Sequence, residues 1–269
     1  MGVINVTPDS FSDGGVALDP VRAVDIAVAM EAAGVDLIDI GAESTRPGAT
    51  PVAAAEEIAR MRPVLRAVAL RVRVPISIDT YKSEVADLAL SEGASIVNDV
   101  SGLQYDPRLG SLTAARGAPI VLMHTRGRPA DMYSYADYVD VVGEVATDLQ
   151  HAVERALAAG IAPGSILLDP GLGFAKRGPQ SLATLAGLER LAGLGYPLLV
   201  GASRKSFLTT VTGALDPERR DWPTAAAVTA AILGGAHIVR VHRVAEMVHV
   251  ARVADAIRDA CPAPTSGQT

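Results

Sequence analysis

An α/β fold of the (β/α)8, or TIM-barrel, type is predicted by three observations: eight short β-branched runs, helical stretches between them, and a suitable length. The runs are GVINV (2–6), DLIDI (36–40), PISID (75–79), SIVND (95–99), PIVLM (119–123), SILLD (165–169), PLLVG (197–201) and HIVRV (237–241). Near-continuous apolarity suits parallel strands covered on both faces. Eight βα units in 269 residues match the size of one such barrel.

Each element has its own punctuation. GVINV leads into the polar run TPDSFSDGG, after which Asp19-Pro20 reads as an N-cap followed by proline at the first helical position. Gly34 closes that helix before DLIDI, and GAESTRPGA follows the second strand. PISID precedes a helix ended by Gly93. SIVND is followed by Asp106-Pro107, a second predicted helix start, whose helix ends at Gly117. The helix after PIVLM stops at Gly160, SILLD runs into GLGFAK, and PLLVG into GASRKSF. The joins AAGVDLIDIG, SEGASIVNDV and LGGAHIVRVH repeat one pattern of helix end, glycine and strand. Because no linker splits the chain, one domain is predicted over 1–258 with a loose tail over 259–269. The rival is a doubly wound open sheet, which calls for a glycine fingerprint after an early strand. GLGFAK (171–176) breaks that fingerprint at Lys176.

Composition narrows the function. A 49% hydrophobic, 20% charged chain has material for a core, and no apolar run reaches the ~20 residues of a membrane span. A net charge of −6 argues against a nucleic-acid-coating surface. The single cysteine, Cys261, excludes disulfide frameworks and thiolate zinc clusters. MGVINV shows no secretory signal, and Val6 breaks the myristoylation pattern, so a reduced, cytoplasmic protein is expected.

Polar residues collect where barrel strands end. Strand by strand these are Asn5; Asp39; Asp79; Asn98 and Asp99; His124; Asp169; Ser203, Arg204 and Lys205; and Arg240 and His242. Only two asparagines and three lysines occur, and Asn5, Asn98 and Lys205 are among them. Commonplace roles compete at single positions. Asp99 reads as a helix cap, Asp39 as an orienting group, Phe207 as core, and Lys82 and Lys176 as solvated. His151, His237 and His249 suit surface or packing roles. Such roles do not account for eight successive strand ends each presenting a polar group.

The chemistry of that rim is bounded by what is missing. GASRK replaces the last glycine of a nucleophile elbow with Lys205, and no H-E-x-x-H, C-x-x-C or P-loop pattern occurs. Carboxylates and amides suit Mg²⁺ or a polar ring better than zinc. Arg46, Arg240 and His242 form a candidate anion clamp. Asp79 and Asp169, inside an apolar barrel, need matching donors. A flat nitrogen heterocycle carrying phosphate fits all of these.

At these residues the chain resembles the dihydropteroate synthase family over nearly its whole length. The motifs are NVTPDSFSDGG (5–15), GAESTRPGA (41–49), SIDT (77–80), NDVSG (98–102), MHTRGRPADM (123–132), LDPGLGFAK (168–176), GASRKSF (201–207) and RVH (240–242). The resemblance implies condensation of 6-hydroxymethyl-7,8-dihydropterin diphosphate with 4-aminobenzoate, giving 7,8-dihydropteroate and pyrophosphate. It implies a pterin pocket of Asp79, Asn98, Met123, Asp169, Gly201, Lys205 and Arg240. Phe11, Thr45, Arg46, Pro47, Phe174 and Ser203 would form the aminobenzoate pocket. Asn5, Thr45, Arg46, Arg240 and His242 would meet the diphosphate, with Mg²⁺ on Asn5, and Asp79, Lys205, Arg240 and His242 would carry the catalytic roles. Loops after the first two strands would close over the site, sulfonamides would compete with aminobenzoate, and a homodimer is implied.

Two departures stand out. Arg243 replaces the acid of the family's R-x-H-D pattern, and the family's N-terminal β-hairpin has no counterpart before the first strand. The pterin-binding domain of corrinoid-dependent methyltransferases and a catalytically silent pterin-binding paralogue are the alternatives. Lys205 and the TPDSFSDGG loop distinguish the chain from the former.

Overall fold

The computed structural model describes residues 1–7 and 19–260, and all eight predicted strands are present in it. Six of them, β1 (Gly2–Asn5), β2 (Ile38–Gly41), β3 (Ile76–Asp79), β4 (Ile96–Asp99), β5 (Ile120–Met123) and β6 (Ile166–Asp169), pair in sequence order, each parallel to the next. Strands β7 (Leu199–Val200) and β8 (Ile238–Val239) form a parallel pair. Parallel bridges Leu168–Leu198 and Gly2–Val241 join this pair to β6 and β1 and close the barrel. Both ladders are shorter than the predicted runs. The N–H groups of His237 and Ile238 share the Leu198 carbonyl, at 2.8 and 3.0 Å, so one extra residue interrupts the regular pairing there.

Helices α1 (Pro20–Ala32), α2 (Ala54–Ala69), α3 (Ser83–Ser91), α4 (Leu109–Arg116), α5 (Val141–Ala158), α6 (Gly178–Ala186), α7 (Leu188–Ala192), α8 (Thr209–Thr212), α9 (Asp221–Leu233) and α10 (Val244–Ala260) alternate with the strands. Asp19 caps α1 with Pro20 at its first turn, as predicted. Gly34, Gly93, Gly117 and Gly160 all take positive φ at helix ends, the conformation in which a glycine terminates a helix without a Cβ penalty. Asp106 does more than its expected role, for its Oδ1 accepts from Arg108 N at 2.9 Å in the turn that leads into α4. Helix α4 starts two residues later than Pro107, and the Asp106 carboxylate accepts from Ser83 N at 2.8 Å, capping the start of α3. No helix among the described residues is long and apolar enough to cross a membrane.

Strand alternation builds the interior. Ile38, Ile40, Ile76, Ile78, Val97, Ile120, Leu122, Ile166 and Leu168 face outward into one core shared with the helices. Their neighbours Leu37, Val121 and Leu199 pack with Met1, Ile96, Leu167 and Ile238 in a separate cluster inside the barrel. Two residues further along each strand, on that same inward face, stand Asp39, Met123, Gly201, Asn98, Asp169 and Arg240. The period-2 pattern therefore sets a polar layer on top of an apolar plug.

Candidate active site

The sheet register brings the predicted residues level with one another. Asn5 pairs with Gly41, Gly41 with Asp79, and Asp79 with Asn98, while Met123 pairs with Asp169. All lie at the C-terminal edge of the strands, the end where barrel enzymes build their sites. Gly41 makes room for its neighbour, since a Cβ there would sit 3.2 Å from the Asp79 Cβ.

Arg240 ties the centre together. Its Nε donates to Asp39 Oδ2 at 2.7 Å and its Nη2 to Asp79 Oδ2 at 2.9 Å. Asn98 Nδ2 donates to the same Asp39 oxygen at 3.2 Å. Asp39, fully buried, thus fixes the planes of both the guanidinium and the amide, the orienting role expected of it. Burial pushes the Asp79 carboxyl up to about 7 even with Arg240 beside it. The guanidinium stays above its ordinary value because Asp39 and Asp79 outweigh its own burial.

The other half of the cup comes from the loops after β6 and β7. Asp169 Oδ1 accepts from Gly171 N at 2.7 Å, and burial holds its carboxyl above the usual range although Lys205 opposes this. Lys205 Nζ donates to Leu172 O at 2.6 Å and lies 4.7 Å from the centre of the Phe174 ring. Burial brings that ammonium down to about 8. Arg204 takes φ 59°, its guanidinium grips both oxygens of Asp221 at 2.8 and 3.0 Å, and the next residue turns inward. A Cβ on Gly201 would lie 3.7 Å from Lys205 Nζ and 3.9 Å from Arg240 Cβ, so this glycine floors the space between the two cations. Met123 packs with Tyr81 and Val100, with Phe174 against them, as an apolar wall.

His242, just after β8, stands against Ser203. Its Nδ1 is 2.9 Å from Ser203 Oγ, and burial, reinforced by Arg240, Arg204 and Arg46, lowers it to about 4. In the tautomer where the Ser203 hydroxyl donates to Nδ1, the neutral ring presents Nε2–H as a donor. Arg243, in the place of an acid, turns away to Glu246 at 3.0 Å, so the Ser203–His242 pair has no carboxylate to complete a nucleophilic triad among the described residues. Thr45, Arg46 and Pro47 precede a turn in which Gly48, at φ +80°, donates to Pro129 O at 2.8 Å. Phe11 and the TPDSFSDGG glycines lie outside the described residues.

Asn5 is the sole predicted metal ligand. Among the described residues its amide has no side-chain partner, and no cluster of three acidic, histidine or cysteine groups could hold a metal. One amide oxygen without a protein cage fits Mg²⁺, which keeps most of its waters and takes phosphate oxygens.

Three positions differ from expectation. Lys176 is 1% exposed rather than solvated, and Lys82 is half-buried between Glu43 and Glu57, the latter at 2.5 Å. Asp99 caps its own loop, accepting from Ser101 N and Leu103 N, and burial raises it to about 6. Sequence reasoning missed Lys176 and His124 as a pair. The signal was present, in one of only three lysines and the sole histidine at a strand end before β8. Phe207, 3% exposed, is core.

Comparison with known proteins gives one consistent neighbourhood. The family model described as "Pterin binding enzyme" matches residues 1–242. The dihydropteroate synthase of Synechocystis sp. is 46% identical over 257 residues, covering 96% of this chain and 89% of that protein. Two solved structures are similar over nearly the whole chain. The Yersinia pestis dihydropteroate synthase with a sulfonamide drug complex has a TM-score of 0.91 at 41% identity, covering 96% and 94% of the two chains. The Xanthomonas albilineans enzyme with 7,8-dihydropteroate has a TM-score of 0.86 at 38% identity, covering 97% and 93%.

Proposed function

The chain belongs to the pterin-binding enzyme family, and from that premise we propose that it works as a dihydropteroate synthase. The reaction is a transfer: 6-hydroxymethyl-7,8-dihydropterin diphosphate and 4-aminobenzoate give 7,8-dihydropteroate and pyrophosphate. The observation that carries the reading is the placement of Asp169 and Lys205 on adjoining loops at the rim that also holds Asp79, Asn98 and Arg240.

Each group has a chemical task in this reading. Asp169 accepts two parallel hydrogen bonds from the ring N3–H and the 2-amino group, an arrangement that needs two oxygens and no proton. Asn98 donates and accepts at the ring edge. Lys205 donates to the ring carbonyl and N5. The Arg240 guanidinium, held flat by Asp39, stacks on the pterin and reaches phosphate. Met123 and Gly201 shape the pocket. Phe174, Ser203, Thr45, Arg46, Pro47 and Phe11 enclose aminobenzoate.

The displacement is SN1-like. The methylene C–O bond breaks and the diphosphate departs with both electrons toward the Arg46 and Arg240 guanidiniums, whose positive charge matches the charge it gains, and toward the neutral His242 ring as an N–H donor. The dihydropterin ring spreads the resulting cation, and Asp79, ionised, stabilises it. The amine of aminobenzoate forms the new C–N bond and loses a proton, so no enzyme nucleophile takes part. Mg²⁺, held by Asn5 together with diphosphate oxygens, would supply further positive charge to the leaving group. A homodimer through α9 and α10, where Leu233, Val253 and Ile257 are exposed, and a cytoplasmic location complete the proposal.

The test is direct. Purified chain is given the dihydropterin diphosphate, aminobenzoate and Mg²⁺, and pyrophosphate and dihydropteroate are quantified in equal amounts. Chelation with EDTA should stop both. Pyrophosphate release without dihydropteroate, or a trapped Ser203 or Lys205 adduct on the turnover pathway, would count against the scheme.

A further inference from the structure

The loop after β6 is an unusual stretch of backbone. Gly171, Gly173 and Ala175 take φ of +66°, +81° and +47°, so every second residue is left-handed. Five successive carbonyls, from Gly171 to Ala175, are taken by side-chain donors. Leu172 O accepts from Lys205 at 2.6 Å, Gly173 O from the Tyr133 hydroxyl at 3.4 Å, and Ala175 O from the Tyr138 hydroxyl at 3.0 Å. The remaining two, Gly171 O and Phe174 O, both accept from Lys176 Nζ at 3.1 Å.

The third contact of Lys176 Nζ is His124 Nδ1, at 2.7 Å. His124 Nε2 lies 3.0 Å from Asp148 Oδ2, which also accepts from Arg126 Nε and Nη2. Proton counting fixes the direction of this chain. The His124 and Arg126 donors hold Asp148 down to about 2, so it only accepts and His124 Nε2 bears the hydrogen. Burial keeps the His124 ring neutral, lowering it to about 4, which leaves Nδ1 as a lone pair facing the lysine. Burial also pulls the Lys176 ammonium well below the usual lysine range, yet its three acceptors call for all three of its protons.

We propose that Lys176, oriented by His124 and Asp148, is a positioning residue that fixes the 171–175 loop and through it the Lys205 ammonium and the Phe174 ring. Lys176, 1% exposed and with its ammonium engaged by Gly171 O, Phe174 O and His124 Nδ1, touches neither substrate in the reading above, on which this inference rests. It acts through the backbone: Leu172 O holds Lys205, and the Phe174 carbonyl it anchors belongs to the residue whose ring lies beneath Lys205.

The experiment compares the full chain with Lys176→Met, His124→Leu and His124→Gln. Glutamine can accept from Lys176 and donate to Asp148, whereas leucine does neither. Steady-state kinetics are measured in both substrates alongside the thermal midpoint, and turnover by the unaltered chain tests the parent reading separately. Lys176→Met and His124→Leu are expected to raise KM for both the dihydropterin diphosphate and aminobenzoate about tenfold and to lower kcat, with His124→Gln within about threefold of the unaltered chain. A fall in kcat with unchanged KM, the mark of lost active protein, would overturn the proposal. So would equal damage from glutamine and leucine. If Lys176→Met does not fold, the His124 pair decides.

Discussion

Replacing Asp169 by asparagine isolates the contact that selects a pterin. In the proposed complex three donors converge on this carboxylate: Gly171 N–H, already at 2.7 Å, and the ring N3–H and 2-amino groups. Asparagine supplies one oxygen and one NH2. Whichever way the amide turns, one of the three donors then faces another donor. A lost charge-assisted hydrogen bond costs ~1.5–3 kcal/mol and a buried unsatisfied donor ~1–3 kcal/mol. The expected loss is therefore about 3 kcal/mol or more, on the order of 100-fold in affinity. Without ligand the sign reverses. Burial raises the Asp169 carboxyl, so its ionised form is a cost that appears as pH rises past the ordinary aspartate value. The neutral amide removes that cost, and the melting temperature should hold or rise. Calorimetric titration with the dihydropterin diphosphate, paired with thermal denaturation of the free protein, reads both effects. A variant that binds within about threefold of the unaltered chain would refute the bidentate contact.

Other consequences are checked as simply. Asp79 must be ionised and Lys205 protonated for the proposed step, so kcat/KM should fall below pH about 7 and above about 8; a flat profile from pH 6 to 9 would exclude both roles. A Cβ on Gly171 would lie 2.0 Å from His124 O at φ +66°, so Gly171→Ala should cost about 3 kcal/mol or more in stability. Gly195, at φ +81° with open space around it, should lose only ~1–2 kcal/mol on the same change, and equal melting temperatures for the two variants would contradict the clash. Sulfonamides should raise the apparent KM for aminobenzoate without lowering kcat, and inhibition insensitive to aminobenzoate concentration would place them elsewhere.

Most of the barrel was written in local pattern. Each apolar run became a parallel strand, and the inward register of Asp39, Asn98 and Asp169 follows from counting by twos from Leu37, Ile96 and Leu167. The same count separates Asn98, which faces the cup, from Asp99, which faces outward and ties its own loop. What escaped the sequence depended on distant partners. Asp106 caps a helix that precedes it in the chain, and no local propensity records that. Lys176 looks like any surface lysine until His124, 52 residues earlier, and the folded-back carbonyls are placed around it. The short pairing of β7 with β8 likewise comes from two amides competing for Leu198 O, a matter of strand offset rather than composition.

The run of engaged carbonyls after β6 also bears on how this protein can change. A wall whose oxygens are each spoken for, with left-handed turns at alternate residues, has little slack to adopt a new outline. Across the cup, Arg46, Pro47 and Gly48 stand exposed, and among the described residues one backbone hydrogen bond, from Gly48 N to Pro129 O, ties them to another segment beside the turn's own bond from Ala49 N to Arg46 O. Drug pressure that rewards a reshaped ligand pocket would find its room on that second side, and lineages diverging under inhibitors should differ there while 171–175 stays fixed.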